Sequence, residues 1–240
     1  MLNGLADGLL RFLFPPSCVL CRELVSHHQI HLCPGCYADL QQNQLACLHC
    51  AIPLPSDVSS ACCADCMQRS PPYDHSQSAL IYAQPLEWMI HQFKFKAQLF
   101  YAPLFASLMY EFLQPRIRQS ELPDAIIPMP LHPSRLKQRG FNQSYLLAKP
   151  LADAFAVPLN NDDCRRLKNT SHQTGKTAKQ RRQNIKGAFL FENKKAYRHL
   201  VIVDDVVTTG SSVAELAREL KRQGVERVDV WSLARAEKVD

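Results

Sequence analysis

The sequence predicts an α/β fold in which a parallel sheet flanked by helices follows a small cysteine-rich module. Nine of the ten cysteines lie in the first 66 of the 240 residues. Those 66 residues carry two basic and five acidic side chains, whereas the rest carry 26 basic and 17 acidic ones, so a net charge of −3 precedes one of +9. The apolar run from His199 to Val203 leads into a polar loop, a helix and a further apolar run, a succession typical of α/β units. Two unlike modules are therefore expected.

The first 16 residues are leucine-rich and are predicted to form an amphipathic helix. Five apolar residues share one helical face: Leu2, Leu5, Leu9, Phe12 and Leu13. Asp7 and Arg11 interrupt the apolar stretch that a signal peptide requires, and Pro15-Pro16 ends the helix. The chain also lacks any run of eighteen apolar residues that could span a membrane. We therefore expect a cytoplasmic protein whose clustered cysteines bind metal, because disulfides are rare in that compartment.

Four C-x-x-C pairs predict a double zinc ribbon between residues 17 and 70. The two-residue spacer lets both sulfurs of a pair reach one ion, and a site of four thiolates is structural. Eleven residues separate the first two pairs and twelve separate the last two. We therefore expect two consecutive ribbons with two structural Zn2+ ions, although this spacing leaves the interleaved pairing open. The predicted ligands are Cys18, Cys21, Cys33 and Cys36 in the first ribbon, and Cys47, Cys50, Cys63 and Cys66 in the second.

Five further residues of this module could bind zinc. Cys62 is adjacent to Cys63 and is interpreted as a spare thiol. Because eight cysteines already have suitable spacing, four histidines are expected to be exposed to solvent or to contact the zinc ligands without binding the ion. They are His27, His28, His31 and His49. A module this small needs its metal to fold. Its acidity argues against independent DNA binding, and contact with nucleic acid, contact with protein and a purely structural role stay open.

Residues 67–73 are polar and contain Pro71-Pro72, which predicts a domain boundary. The pattern of apolar residues after it predicts alternating strands and helices. A domain spanning residues 74–240 is expected. Its predicted elements are a strand at Ser78–Tyr82, a helix opened by Pro85, a helix at Pro103–Leu113, a strand at Asp124–Met129 and a helix from about Asn142. Pro150 is expected to kink or divide the last of these.

Two basic stretches contain no acidic residue. Residues 125–152 carry four basic side chains, and residues 164–191 carry eight. The second stretch includes the polar segment 172–184, which we predict to be a mobile loop leading into a helix. Its Gly175-Lys176-Thr177 tripeptide is not a P-loop, since Thr170 stands where that motif requires glycine.

The segment 199–212 predicts a site for a ribose 5-phosphate. Asp204 and Asp205 follow an apolar strand, and ligands of parallel sheets bind at the carboxyl ends of strands. Two adjacent carboxylates suit ribose hydroxyls or a hydrated Mg2+. The loop Thr208–Ser212 precedes a helix with Val213, Leu216, Ala217 and Leu220 on one face. It offers hydroxyls and backbone N–H groups to an anion, which the helix dipole favours. A strand at Val228–Leu233 then predicts a right-handed crossover.

These motifs resemble known families. The stretch Val201–Ser212 resembles the signature of type I phosphoribosyltransferases, and the chain from Cys18 to about Arg235 resembles the ComF/GntX family of competence-associated, phosphoribosyltransferase-like proteins. The narrower resemblance rests on the four C-x-x-C pairs, Lys94-Phe95-Lys96, Pro128-Met129-Pro130-Leu131, Arg139-Gly140-Phe141-Asn142-Gln143, Gln173 with Arg182 and Asn184, and Asp204–Gly210.

The resemblance implies a type I phosphoribosyltransferase-like sheet preceded by a double zinc ribbon. Asp204 and Asp205 would bind the ribose hydroxyls of phosphoribosyl pyrophosphate (PRPP), with Mg2+ accompanying the pyrophosphate. The rest of the PRPP/phosphate-binding site would be Val206, Thr208, Thr209, Gly210, Ser211 and Ser212. Residues expected near the pyrophosphate or in a closing loop are Pro128, Met129, Arg135, Arg139, Lys176 and Arg181. The sequence identifies no catalytic acid or base.

Two functions follow from the resemblance and the charge pattern. The first is a phosphoribosyltransferase, or a protein that binds PRPP or a nucleotide, associated with DNA uptake or utilisation in natural competence. The second is a non-catalytic protein that handles single-stranded DNA or senses nucleotides with the same site. The acidic pair favours the first, whereas the basic stretches and the zinc module favour the second. Single-stranded DNA and a competence or DNA-processing protein are the expected partners.

Overall fold

The computed structural model describes residues 16–25, 31–56, 60–169 and 184–237. The N-terminal helix predicted for residues 1–16 falls outside these ranges except for Pro16, and so does most of the loop predicted at 172–184. In the described ranges, no helix is both long and apolar enough to cross a membrane.

A four-stranded parallel sheet forms the centre of the fold, as predicted. In spatial order it contains β1 (His75–Ile81), β6 (Arg227–Arg235), β5 (His199–Val207) and β2 (Ala125–Pro128). A separate antiparallel pair joins β3 (Cys164–Arg166) to β4 (Phe189–Phe191). β5 lies between β6 and β2, and its apolar first half is buried because other elements pack on both faces of the sheet.

Helices cover both faces of the sheet. The helices are α1 (Pro34–Ala38), α2 (Ala64–Gln68), α3 (Leu86–Lys96), α4 (Tyr101–Leu113), α5 (Pro133–Arg139), α6 (Gln143–Phe155) and α7 (Ser211–Arg222), with 3-10 turns at Gln114–Arg116 and Gln119–Glu121. Apolar residues of α3, α4 and α6 pack in one cluster with Val201 and Val203. Those of α7 and β4 pack in another with Leu200 and Ile202. The alternation of the β5 side chains thus divides the core into two layers.

Three local predictions need correction. The strand that was expected to end at Val203 continues to Val207, because Asp204 and Val207 pair with Ser232 and Arg235 of β6. The helix α6 is not divided at Pro150, because the buried side chains of Leu147 and Leu151 anchor the turns on both sides of it. The sequence analysis also missed α5 and the β3–β4 pair, both of which are too short to show a clear hydrophobic period.

The cysteine-rich segment packs directly on the sheet. Gln42 forms an antiparallel bridge with Leu80 of β1, and the Asn43 N–H donates to the carbonyl of Ala79 at 3.0 Å. Cys18 and Cys33 belong to the same buried cluster as α4. The chain therefore extends the edge of the sheet at residues 41–43 before it enters the second half of the cysteine-rich segment.

Candidate functional site

Two groups of four cysteine sulfurs form zinc sites. Within each group the Sγ atoms lie within 4.8 Å of one another. The Cys21 and Cys33 sulfurs are 3.5 Å apart, and those of Cys50 and Cys63 are 3.7 Å apart. A tetrahedral ion with Zn–S bonds of 2.3 Å has edges of about 3.8 Å, so both groups fit Zn2+. The sequential pairing is confirmed and the interleaved alternative is wrong. The groups are Cys18, Cys21, Cys33 and Cys36, and Cys47, Cys50, Cys63 and Cys66.

The two zinc sites are built on the same backbone plan. In each ribbon the residue after the first C-x-x-C pair adopts a left-handed conformation, with φ of +67° at Arg22 and +55° at Ala51. The N–H of that residue donates to the carbonyl of the pair's first cysteine, at 2.9 and 2.8 Å. The second pair of each ribbon opens a short helix, with Cys33 or Cys63 as N-cap. The ribbons are therefore two copies of one unit.

Among the described residues, no other candidate ligand of the module belongs to a sulfur group, although Cys62 packs against the second one. Cys62 is not part of the second group, and its backbone N–H and carbonyl both bond to Ser60 Oγ. The Nδ1 atom of His49 lies 3.0 Å from the carbonyl oxygen of Asp74, while His31 is exposed. His27 and His28 lie outside the described residues.

Two adjacent buried carboxylates lie on β5, in the middle of the proposed phosphoribosyl site. Asp204 Oδ1 accepts hydrogen bonds from the Ser144 hydroxyl and from the Asp205 N–H, each at 2.9 Å. Asp205 is 2% exposed and forms an ion pair with the Lys94 ammonium of α3. Ser144 lies in the first turn of α6, where its N–H donates to the Asn142 N-cap at 3.0 Å. Three elements thus converge on the acidic pair.

The two carboxyls titrate differently. Burial and the neighbouring Asp205 charge raise the pKa of Asp204 to about 7. Burial also opposes ionisation of Asp205, but the charge and hydrogen bond of Lys94 lower the pKa of Asp205 below its ordinary value. The pair therefore keeps one firmly ionised carboxylate beside one that exchanges a proton near neutrality.

Two arginines lie within electrostatic reach of the acidic pair, and Arg135 lies near both of them. The Arg139 side chain of α5 donates to Gln143 Oε1 at 2.5 Å, and its guanidinium lies 5.5 Å from the Phe95 ring centroid. Burial lowers the pKa of Arg139, and attraction to both carboxylates opposes this effect. Burial and repulsion by Arg135 lower the pKa of Arg166 on β3, against the attraction of Asp204. Arg139 and Arg166 therefore add positive charge near the carboxylates.

The turn after β2 adjoins the same site. The Met129 N–H donates to the Val203 carbonyl at 2.8 Å, and the Asn142 side-chain amide donates to the Met129 carbonyl at 3.2 Å. Pro128 is the last residue of β2, and it pairs with Val203 in the sheet. The turn is thus fixed between the central strand and the start of α6.

The loop after β5 presents polar groups to solvent. Thr208 and Thr209 are exposed, and Gly210, with φ of +71°, is the N-cap of α7. The Thr209 and Ser211 hydroxyls are 2.9 Å apart, and the Ser211 N–H donates to Thr209 Oγ1 at 3.4 Å. Such a loop at a helix start is suited to an anion. The predicted residues Val206 and Ser212 flank it.

Of the predicted site residues, the structure places Pro128 and Met129 beside β5 and Arg139 within electrostatic reach of both carboxylates. Lys176 and Arg181 lie outside the described residues. Sequence reasoning did not assign roles to Lys94 or Ser144 and overlooked Arg166. Lys94 was visible only as part of a family motif. Asn142 is a residue type preferred at a helix N-cap, but no local signal pointed to the Ser144 hydroxyl.

Comparisons with known proteins agree with this architecture. The family described as "Double zinc ribbon domain" matches residues 9–67, and the family described as "Phosphoribosyl transferase domain" matches residues 142–238. Competence protein F of Haemophilus influenzae is 37% identical over 224 residues, which cover 91% of this chain and 96% of that protein. DNA utilization protein YhgH of Salmonella typhimurium is 37% identical over 223 residues, covering 92% and 97%. Competence protein ComFC of Bacillus subtilis is 25% identical over 228 residues, covering 89% and 82%.

Proposed function

The chain belongs to the family of competence protein F and the DNA utilization proteins YhgH, and from this premise we propose that it binds PRPP or another ribose 5-phosphate ligand. The resemblance to the ComF/GntX family is thereby confirmed, and the chain contains a phosphoribosyltransferase-like domain. We propose residues 17–70 and 74–240 as its two functional units. The cytoplasm is the proposed location, since eight zinc-binding thiolates persist best in a reducing compartment.

The acidic pair on β5 is the observation that carries the proposal. Asp204 and Asp205 are buried together immediately before an exposed polar loop, although two adjacent carboxylates repel each other. The Ser144 hydroxyl and the Lys94 ammonium hold them without neutralising both. Ribose hydroxyls donate hydrogen bonds, so a bound sugar would satisfy the remaining carboxylate oxygens.

The distribution of positive charge supports a phosphorylated ligand. The loop Thr208–Ser212 lies at the start of α7, where hydroxyls, N–H groups and the helix dipole favour a 5-phosphate. Arg135 and Arg139 of α5 adjoin the Pro128–Met129 turn and are proposed to attract a pyrophosphate. Lys176 and Arg181 are proposed loop contacts on sequence grounds alone.

Mg2+ fits the chemistry of this group of residues. Carboxylate oxygens and water are the ligands that Mg2+ prefers, and it commonly binds proteins together with substrate phosphates. Asp204 and Asp205 are the residues that would hold it, directly or through water. When bound, it would neutralise charge on a pyrophosphate. The chain's own contribution is to orient the ribose, cradle the 5-phosphate and place positive side chains near the leaving oxygens.

Calorimetric titration with PRPP tests the proposal. We expect saturable binding that strengthens with Mg2+ and is lost in the Asp204→Asn/Asp205→Asn variant. The matched control is Asp229→Asn, which changes a buried carboxylate at the opposite end of the sheet. No binding by the wild-type chain, or equal binding by the double variant, would refute the site.

The biological role is proposed from the relatives' names. Competence protein F and YhgH carry names that refer to competence and DNA utilization, so we propose that this site serves DNA uptake or utilisation. A nucleobase panel monitored for pyrophosphate release distinguishes a transferase from a binding protein. Single-stranded DNA is a proposed partner, and its binding should weaken with rising salt if the basic stretches track phosphates. Binding that does not depend on salt would contradict that contact.

A further inference from the structure

The guanidinium of Arg235 joins the second zinc ribbon to the phosphate loop. Arg235 ends β6 and is 6% exposed. Its Nε donates to the carbonyl of Cys50 at 2.8 Å. Its Nη1 donates to the carbonyls of Val207, at 3.0 Å, and Thr208. One planar side chain therefore holds a zinc-ligand residue on one side and the first residue of the loop on the other.

Tyr73 provides a second contact between the same two parts. This side chain is buried in the cluster that contains Val207 and Val213. Its hydroxyl lies 3.5 Å from the position that a Cβ on Gly210 would occupy. Tyr73 also lies only seven residues after Cys66, the last ligand of the second zinc site, so the chain that leaves this ribbon packs against the loop.

The first zinc ribbon has a different environment. Cys18 and Cys33 pack with α4 and α3 in the cluster on the other face of the sheet. The two zinc sites therefore have different neighbours. The first packs against α3 and α4, whereas the second is connected to the loop after β5 through Arg235.

We propose that Arg235 is a positioning residue through which the second zinc site fixes the phosphate loop. The knuckle Cys47–Cys50 has a fixed backbone only when its sulfurs are held by metal. With Cys50 fixed, Arg235 holds the Val207 and Thr208 carbonyls away from the anion and turns the loop's N–H groups outward. Its buried positive charge, which is paired with carbonyl dipoles, also raises the potential at the site. This inference rests on the proposed phosphate-binding function.

Hydrogen exchange of the unliganded full-length chain tests the link without any ligand. In zinc-loaded Arg235→Lys, amides in residues 208–214 should exchange about tenfold faster than in the wild type, because a lysine cannot reach all of these carbonyls. The matched control is Arg227→Met, which removes an arginine from the other end of β6 and should leave residues 208–214 unchanged. Equal exchange in wild type and Arg235→Lys would overturn the proposal.

A pair of cysteine variants tests the zinc side. Cys63→Ser should accelerate exchange at residues 208–214, whereas Cys33→Ser, the equivalent N-cap in the first ribbon, should leave that segment protected. If both variants or neither accelerate it, the second zinc site has no special connection to the loop. Should either variant fail to fold, the effect of ribose 5-phosphate on the zinc affinity of the second site tests the same connection.

Ribose 5-phosphate then separates this inference from the proposed function. By reciprocity, binding of ribose 5-phosphate should raise the zinc affinity of the second site in the wild type but not in Arg235→Lys. Ligand binding with an equal gain of zinc affinity in both proteins would contradict the role of Arg235. Absence of ligand binding would refute the proposed function, while the exchange result would still show whether zinc and the loop are coupled.

Discussion

Lys94 of α3 and Asp205 of β5 form a largely buried ion pair, with side-chain exposures of 19% and 3%. The pair joins the helical layer to the central strand at the candidate site. It also explains how two adjacent acids coexist there, because one of them has a permanent cationic partner.

Removing this partner should destabilise the chain. We expect Lys94→Met to lower the free energy of unfolding by about 3 kcal/mol, since the Asp205 charge would remain buried and unpaired. Lys94→Met/Asp205→Asn should recover at least about 1 kcal/mol in a double-mutant cycle measured by urea unfolding. Additive losses would show that the two side chains do not interact.

The raised pKa of Asp204 predicts a pH-dependent stability. A carboxyl with a pKa of about 7 in the folded chain binds its proton more tightly than the unfolded chain does. Its contribution is thus complete below pH 4 and is lost as the pH rises to about 7. The unfolding free energy of Asp204→Asn relative to wild type should rise across this interval, by at most about 1.4 kcal/mol per pH unit. If the difference in unfolding free energy between Asp204→Asn and wild type does not change with pH, Asp204 does not have a raised pKa.

The adjacent residues Cys62 and Cys63 should differ in their effect on zinc content. Because Cys63 belongs to the second sulfur group and Cys62 does not, Cys63→Ser should retain about one zinc per chain and Cys62→Ser about two. Elemental analysis of protein purified without chelator measures this. Loss of one zinc in Cys62→Ser but not in Cys63→Ser would show that Cys62, and not Cys63, is the zinc ligand.

Gly210 should be needed for its backbone conformation. Its φ of +71° lies in the left-handed region, where a Cβ costs about 1–2 kcal/mol. Gly210→Ala should therefore weaken ribose 5-phosphate binding about 5- to 30-fold as the loop relaxes. Gly224→Ala introduces the same strain after α7, with φ of +88°, and should reduce stability without changing affinity. If Gly210→Ala and Gly224→Ala weaken ribose 5-phosphate binding equally, the backbone conformation at Gly210 has no specific role in binding.

The regular parts of the fold were predictable because their signals are local. The apolar run at 199–203, the helical face of α7 and the C-x-x-C spacing each depend on neighbouring residues alone. Sequence therefore predicted the parallel sheet and the eight zinc ligands. It left the pairing of the ribbons open, since only the folded chain shows which sulfurs meet.

The side chains that complete the site were harder to predict. Lys94, Ser144 and Arg235 reach the site from three separate elements. Each lies at least 60 positions in sequence from the partner it contacts: Asp205, Asp204 and Cys50, respectively. An arginine that ends an otherwise apolar strand was the one local sign for Arg235. Side-chain contacts between distant elements depend on how the helices dock, which local periodicity does not specify.

Parallel titrations with inorganic phosphate and ribose 5-phosphate test the central claim most directly. If the acids bind the sugar and the loop binds the phosphate, Asp205→Asn should weaken ribose 5-phosphate binding at least about tenfold and leave inorganic phosphate binding unchanged. Gly210→Ala should weaken both. If Asp205→Asn lowers the affinity for both ligands equally, or for neither, the assignment of the sugar to the carboxylates and of the phosphate to the loop is contradicted.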